Sequence, residues 1–248
     1  MKTSRSPSAT TPAFAARRTT LLKLAGAGLL AGAAWFAFQT PGRAAETVFN
    51  IPPPANDMPA GTAHTATAVL AGGCFWGVQA VFQHVDGVTQ ALSGYTGGSA
   101  ATANYNMVSG ANTGHAEAVQ ITYDPARISY GELLQIYFSV AHDPTQHNRQ
   151  GPDVGPQYRS AIFPANDAQR QVAQAYIAQL DRSGAYSQPL ATTVENLQGF
   201  YPAEAYHQDY LVRHPDSLYI VINDQPKVEN LQRAFAARYR DTPVLVSP

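Results

Sequence analysis

Residues 67–70 read as a short strand, while Phe75, Val78, Phe82 and Val85 recur at helical spacing. Between them stand two glycines, so the chain must turn from strand into helix within Gly72-Gly73-Cys74-Phe75-Trp76-Gly77. That turn commits the chain to a fold in which helices pack on strands. The same stretch holds the only cysteine in 248 residues and one of two tryptophans. A cysteine in the first turn of a helix faces unpaired backbone N–H groups and the positive end of the helix dipole. Both favour the thiolate, which is the nucleophilic form. The plainer reading is an inert buried cysteine. The glycine pair before it and the Phe75-Trp76 pair after it fit a reactive thiol beside an apolar pocket better.

The rest of the pattern alternates strand and helix. Asp86-Gly87 marks a turn and residues 88–93 a strand. Residues 94–114, rich in Gly, Asn, Thr and Ser, read as a long loop of the kind that is functional or disordered. In residues 117–123, Glu117, Val119, Ile121 and Tyr123 share one face of a strand. A carboxyl group on that apolar face is partly desolvated, which disfavours its ionised form and keeps it available as a proton donor. The competing reading places Glu117 at a frayed strand end in water. Ser129 and Glu132 form a capping box for a helix ending near His142. A polar loop over 145–156 follows, then a strand over 157–163 with Tyr158 at its beginning. Asn166 caps a helix that Gly184 stops. A strand over 191–195 and helices over 203–212 and 228–238 complete the reading. No internal repeat occurs. The predicted fold class is α/β: a two-layer α/β sandwich, a plait-like sheet with helices packed on it, as a single domain over 66–248.

Residues 1–44 read as an export signal. Lys2, Arg5, Arg17 and Arg18 precede the first acidic residue, Glu46, and residues 24–38 form an apolar run of signal-peptide length, short for a membrane span. Arg17-Arg18 followed by Leu21-Leu22-Lys23 resembles a twin-arginine signal, with one residue more than that pattern has. Residues 45–65, with Pro52-Pro53-Pro54 and Pro59, read as a disordered arm. The expectation is a periplasmic or otherwise exported protein without a stable membrane span. An exported protein usually pairs its cysteines; Cys74 has no partner in the chain, so it is a free thiol or an intermolecular link. With net charge −1 and no basic stripe, nucleic acid is excluded as a partner. His142, His147, His207 and His214 show no metal-ligand spacing, so no metal is expected. A cysteine hydrolase or acyl transferase would need a histidine to activate Cys74, and His115 is its nearest candidate.

Five ordered motifs resemble those of type A peptide methionine sulfoxide reductases. They are Gly73-Cys74-Phe75-Trp76-Gly77, Gly94-Tyr95-Thr96-Gly97-Gly98, Thr113-Gly114-His115-Ala116-Glu117-Ala118, Gly155-Pro156-Gln157-Tyr158-Arg159-Ser160 and Phe200-Tyr201-Pro202-Ala203-Glu204-Ala205-Tyr206-His207-Gln208. The resemblance implies that Cys74 attacks the sulfoxide sulfur and is left as a sulfenic acid. It implies that Glu117 protonates the sulfoxide oxygen, that Tyr105 and Tyr158 hydrogen-bond it, and that Asp153 helps to orient the site. Phe75 and Trp76 match the walls around the substrate's methyl group. The implied substrates are oxidised methionine in proteins or free, the implied partner is a thioredoxin-like or small-thiol reductant, and no cofactor is implied. A catalytically silent domain that binds oxidised methionine is the alternative, against which Cys74 and Glu117 both stand intact. The chain departs from the family at Gln79, where glutamate is usual, and in carrying no resolving cysteine over 220–248.

Overall fold

The computed structural model describes residues 48–58 and 64–246; the expected export signal lies outside the described residues. In chain order the elements are β1 (Ala66–Gly72), α1 (Phe75–Gln83), β2 (Val88–Thr96), α2 (Tyr105–Val108), β3 (Ala116–Tyr123), α3 (Tyr130–Ile136), β4 (Arg149–Gln150), β5 (Asp153–Val154), β6 (Ser160–Ile162), α4 (Asp167–Ser183), β7 (Thr193–Val194), β8 (Phe200–Pro202), α5 (Tyr210–Arg213) and α6 (Gln225–Ala234). One sheet runs in the order β7-β6-β1-β3-β2-β8, and β4 and β5 form a separate ribbon. All neighbours in the large sheet are antiparallel except β6 and β7.

The period-2 alternation of the strands decides which residues meet the helices. Ala68 and Leu70 of β1 and Val119 and Ile121 of β3 join Phe82 of α1, Leu134 of α3 and Tyr176 of α4 in the main core. The residues out of phase with them, Val69, Ala71 and Ala118, pack on the other face with Ala161, Phe163 and the partly buried Leu197 and Phe200. Helices therefore cover one face and connecting segments the other, the two-layer α/β arrangement expected. Glu117 is in phase with Val119, so β3 carries its carboxyl to the helix side of the sheet, at the strand's first turnward end.

Local signals hold at the helix ends. Asn166 accepts a hydrogen bond from the Gln169 N–H (2.9 Å) at the start of α4, and Gly184 ends it in the left-handed region at φ 71°. The Ser129–Glu132 capping box starts α3.

Several expectations need correction. Residues 48–58, placed in a disordered arm, lie against the domain: Ile51 is buried, the Phe49 N–H donates to Ser139 O (3.0 Å), the Tyr176 hydroxyl donates to Pro52 O (2.7 Å), and Asp57 accepts from the Gly131 N–H (2.8 Å). Prolines lack a donor, but their carbonyls still accept, and α4 supplies the donors, Tyr176 to Pro52 O and Gln179 to Pro53 O. The loop expected over 94–114 is shorter, because β2 runs on to Thr96 and a 3-10 turn and α2 follow. Tyr158 closes a 3-10 turn, Pro156–Tyr158, instead of opening a strand. The terminal helix ends at Ala234 and is preceded by a π-helical turn, Ile220–Asp224.

The helix expected over 203–212 is broken into a 3-10 turn, Ala205–His207, and the short α5, with Asp209 left-handed at φ 57° between them. Buried amides cause the break. The Gln208 side chain accepts from the Ser93 N–H (3.0 Å) and donates to Ser93 O (2.9 Å) and Ala203 O (3.1 Å). Gln79 donates to Ala91 O (3.0 Å) and to Gln208 Oε1 (2.8 Å) and accepts from the Asp209 N–H (2.9 Å). Burial leaves these groups no water, so they must bond one another, and an unbroken helix would not let them. Gln79 thus serves as a lock between α1, β2 and the 203–212 segment. A carboxylate at this position would accept but not donate. Gln79→Glu is expected to lose about 1–3 kcal/mol of stability by urea unfolding, while kcat stays within a few-fold of wild type. An unchanged unfolding midpoint would refute the lock.

Candidate active site

Cys74 stands where β1 hands over to α1, as the N-cap of the helix (φ −53°, ψ 124°), and only 8% of it is exposed. The turn depends on Gly73, whose φ is +89°. A Cβ there would come within 2.4 Å of Gln150 Cβ. Gln150 is pinned in that position by Asp143, donating to its carbonyl (3.0 Å) and accepting from its N–H (3.1 Å).

Glu117 lies against the same turn: its Oε2 accepts the Phe75 N–H at 3.1 Å, and the residue is 4% exposed. Burial pushes its carboxyl up to about 8; the Phe75 hydrogen bond opposes this, and the charges of Asp153 and Asp224 add to it. Glu117 is therefore mainly protonated at neutral pH, as its place on the apolar strand face predicts. Cys74 contradicts the expectation of a resting thiolate. Burial first, and then the charges of Glu117 and Asp224, hold the thiol well above its ordinary value, and the Trp76 backbone hydrogen bond recovers only part of this. Desolvation of a buried anion outweighs the pull of the helix terminus.

Tyr158 and Tyr219 lie close enough to Cys74 for its charge to act on their phenols. The Tyr158 phenol is raised by burial and then by Glu117, Asp153, Cys74 and Tyr105. That of Tyr219 is raised by burial and then by Cys74 and Asp224. The Tyr219 hydroxyl donates to Asp153 Oδ2. Tyr105, the first residue of α2, is half-buried and is set by its N–H, which donates to Glu204 Oε1 (2.9 Å); Glu204 Oε2 takes the Tyr95 hydroxyl (2.9 Å).

Apolar walls surround these polar groups. Phe75 is buried, with its ring 5.8 Å from Tyr95 and 5.2 Å from His207. The half-buried Trp76 stacks on Tyr210 at 3.6 Å and meets Tyr219 edge-on at 5.7 Å. Its indole N–H donates to His207 Nδ1 at 3.2 Å.

The structure thus brings together Cys74, Glu117, Tyr158, Asp153, Phe75 and Trp76, with Tyr105 linked to the group through His207, whose ring lies 4.6 Å away. Reasoning from the sequence missed Tyr219, Asp224 and the positioning of Tyr105 by Glu204. The first two come from a π-helical turn and its flank, which leave no periodic signal.

His115 and His142 are engaged elsewhere. His115 meets the Gly98 N–H (3.2 Å) and Ser99 O (2.9 Å). His142 is held between Tyr137 O (3.1 Å) and Ser160 Oγ (2.7 Å), with burial pushing its pKa down to about 3. His214 packs on Tyr210, and His147 is exposed. Among the described residues no group of three or more His, Cys, Asp or Glu side chains is arranged to hold a metal ion, and no helix is long and apolar enough to cross a membrane.

A family model described as peptide methionine sulfoxide reductase matches residues 66–239. The chain belongs to that family. It is 61% identical to the peptide methionine sulfoxide reductase MsrA 2 of Mesorhizobium japonicum over 180 residues, covering 73% of this chain and 92% of that one. With the MsrA 2 of Synechocystis it shares 54% identity over 194 residues, 77% of this chain and 89% of the other. Among solved structures it is similar to the methionine sulfoxide reductase A of Corynebacterium diphtheriae, with 32% identity and a TM-score of 0.53 over 68% of this chain and 85% of that one. It is also similar to the reduced form of Mxr1 from Saccharomyces cerevisiae, with 33% identity and a TM-score of 0.56 over 64% and 91%. The chain is an oxidoreductase, a methionine sulfoxide reductase of the A type. The family match begins at Ala66 with β1 and ends at Tyr239, just past α6, so it spans the whole sheet and the Cys74 turn.

Proposed function

We propose that the enzyme reduces the S-epimer of methionine sulfoxide, free or within proteins, through a sulfenic acid on Cys74. The observation that carries this reading is the buried Glu117 carboxyl, pushed up to about 8 by burial and held on the Phe75 N–H, one residue from the nucleophile. The sulfoxide oxygen is placed by the Glu117 carboxyl and the phenols of Tyr105 and Tyr158, with the methyl group against Phe75 and Trp76. As Cys74 sulfur attacks the sulfoxide sulfur, Glu117 gives its proton to the oxygen and takes up the thiol proton. The S–O bond then breaks and oxygen passes to Cys74, so that thiol plus sulfoxide become sulfenic acid plus thioether. Asp153, bonded by Tyr219, orients the polar side of the pocket.

The chain's one cysteine implies regeneration from outside. A thiol attacks the sulfenic acid with loss of water, and a second thiol releases the mixed disulfide. A thioredoxin-like protein or a small thiol would serve as this reductant. We also propose export to the periplasm or beyond, on the strength of the basic and apolar leader over 1–44, where the enzyme would repair oxidised exported proteins.

Separated S- and R-sulfoxides of a blocked methionine, supplied with a dithiol, test the activity: the S-epimer is expected to be consumed and the R-epimer left. Without reductant, one equivalent should yield about one methionine per protein and a Cys74 peptide that gains a single oxygen and reacts with dimedone. Equal consumption of both epimers would refute the stereochemical assignment, and absence of a dimedone adduct the sulfenic acid.

A further inference from the structure

A buried ion pair for which the reaction above has no use packs against the first turn of α1. Gly77, three residues after Cys74, lacks a side chain where one would collide with Asp224: a Cβ would lie 2.2 Å from its Oδ1 and 3.0 Å from Lys227 Nζ. Asp224 ends the π-helical turn and Lys227 lies in the first turn of α6, with Nζ 3.2 Å from Oδ1. Asp224 is 0% exposed and Lys227 2%, and Asp224 Oδ2 is buried with no hydrogen-bond partner. A pair this deeply buried adds little net stability over apolar groups of the same size, and a half-satisfied carboxylate adds less. Its two ends face different neighbours. The carboxylate is the nearer to the α1 backbone, and its charge is felt at Cys74, Glu117 and Tyr219. The ammonium is felt at His142, behind the Gly72 turn.

We propose that Asp224 restrains the nucleophile: a buried negative charge, held against the first turn of α1 by Lys227, keeps Cys74 from reacting with oxidants and disulfides that carry no sulfoxide. Asp224 is a positioning residue that acts through Cys74. Other titratable groups face the thiol as well: Glu117 from β3, Asp153 from β5, Tyr158 from the 3-10 turn and Tyr219 from the flank of the π-helical turn. Of the carboxyl groups, Glu117 is mainly neutral below pH 8, whereas Asp224, raised by burial against the pull of Lys227 to about 6, is anionic at pH 7. The restraint suits a chain with no second cysteine to recover the first. Any disulfide formed at Cys74 by a chance encounter must wait for an external thiol.

The inference rests on Cys74 as the attacking nucleophile, but its test does not need sulfoxide turnover. The full chain is mixed with a chromogenic aromatic disulfide between pH 5 and 8; Cys74 displaces one aryl thiolate and keeps the other half as a mixed disulfide. Asp224→Asn is expected to react on the order of tenfold faster at pH 7, the effect of about one pKa unit on a thiol, with its rate curve moved to lower pH. Asp224→Asn/Lys227→Met, which removes both charges of the pair, is expected to show the same direction with a smaller gain. A purely structural pair would change the melting temperature and leave the rate curve in place. A folded variant whose curve lies within twofold of wild type overturns the proposal. The wild type offers a check that does not depend on folding of variants. If Asp224 ionises near pH 6 beside the thiol, the rate must rise by less than about tenfold per pH unit between pH 5 and 7; a full tenfold rise per unit throughout overturns the proposal equally.

Discussion

Cys74→Ser is expected to abolish methionine sulfoxide turnover while leaving the fold intact. The two side chains are close in size, and Cys74 sits at the N-cap of α1, where serine is among the preferred residues. Stability is therefore kept or improved. Chemistry is lost because a serine hydroxyl at its ordinary pKa is a poor nucleophile without an adjacent base, and among the described residues no histidine is hydrogen-bonded to Cys74. His115 is bonded to Gly98 and Ser99, His207 accepts the Trp76 indole N–H at Nδ1, and His142 is held between Tyr137 and Ser160. Steady-state turnover of the S-epimer, followed beside thermal unfolding, reads both effects. A stable serine variant with measurable turnover would show that the oxygen acceptor is some other group.

Glu117→Gln is expected to lower kcat on the order of 10²–10⁴-fold, the range of a lost general acid, with KM changed little. Glutamine keeps the shape and can still accept the Phe75 N–H at its carbonyl oxygen, so the turn before α1 survives and only the transferable proton goes. The pH profile follows from the same group. Burial raises the Glu117 carboxyl to about 8, so it is protonated and competent below that value and loses its proton above it. For the wild type, kcat/KM should be level through neutral pH and fall by about tenfold per unit above about pH 8. In the glutamine variant that descent should disappear from whatever activity remains. A variant within a few-fold of wild type, or a wild-type profile without the descent, would remove Glu117 from the role of acid.

Much of the framework was legible in the chain because it depends on local rules. The strand-to-helix turn at Gly72-Gly73, the capping box at Ser129, the Asn166 cap and the Gly184 stop each use backbone chemistry that a few neighbouring residues decide. The two-residue period of β3 put Glu117 on the same face as Val119, Ile121 and Tyr123, which left a desolvated carboxyl and a frayed, hydrated one both open, and the fold decided for burial. The order of the motifs was enough to indicate the family.

What the tertiary structure alone decided are the outcomes set by groups far apart in the chain. A helix over 203–212 satisfies local propensity, yet Gln79, Ser93 and Ala91 reach in from α1 and β2 and break it at Asp209. The proline-rich residues 51–54 have no period to read, and they are ordered because α3 and α4 offer donors and apolar surface to them. The state of Cys74 is the sharpest case. Its position at a helix start predicts a thiolate, but the folded chain removes water from it and sets Glu117, Asp224 and Asp153 around it, brought from β3, a π-helical turn and the β4–β5 ribbon. Desolvation and like charge are properties of the assembled interior, so the sequence by itself singled out Cys74 as the candidate nucleophile, and only the packing decided that its thiol is held above the ordinary range.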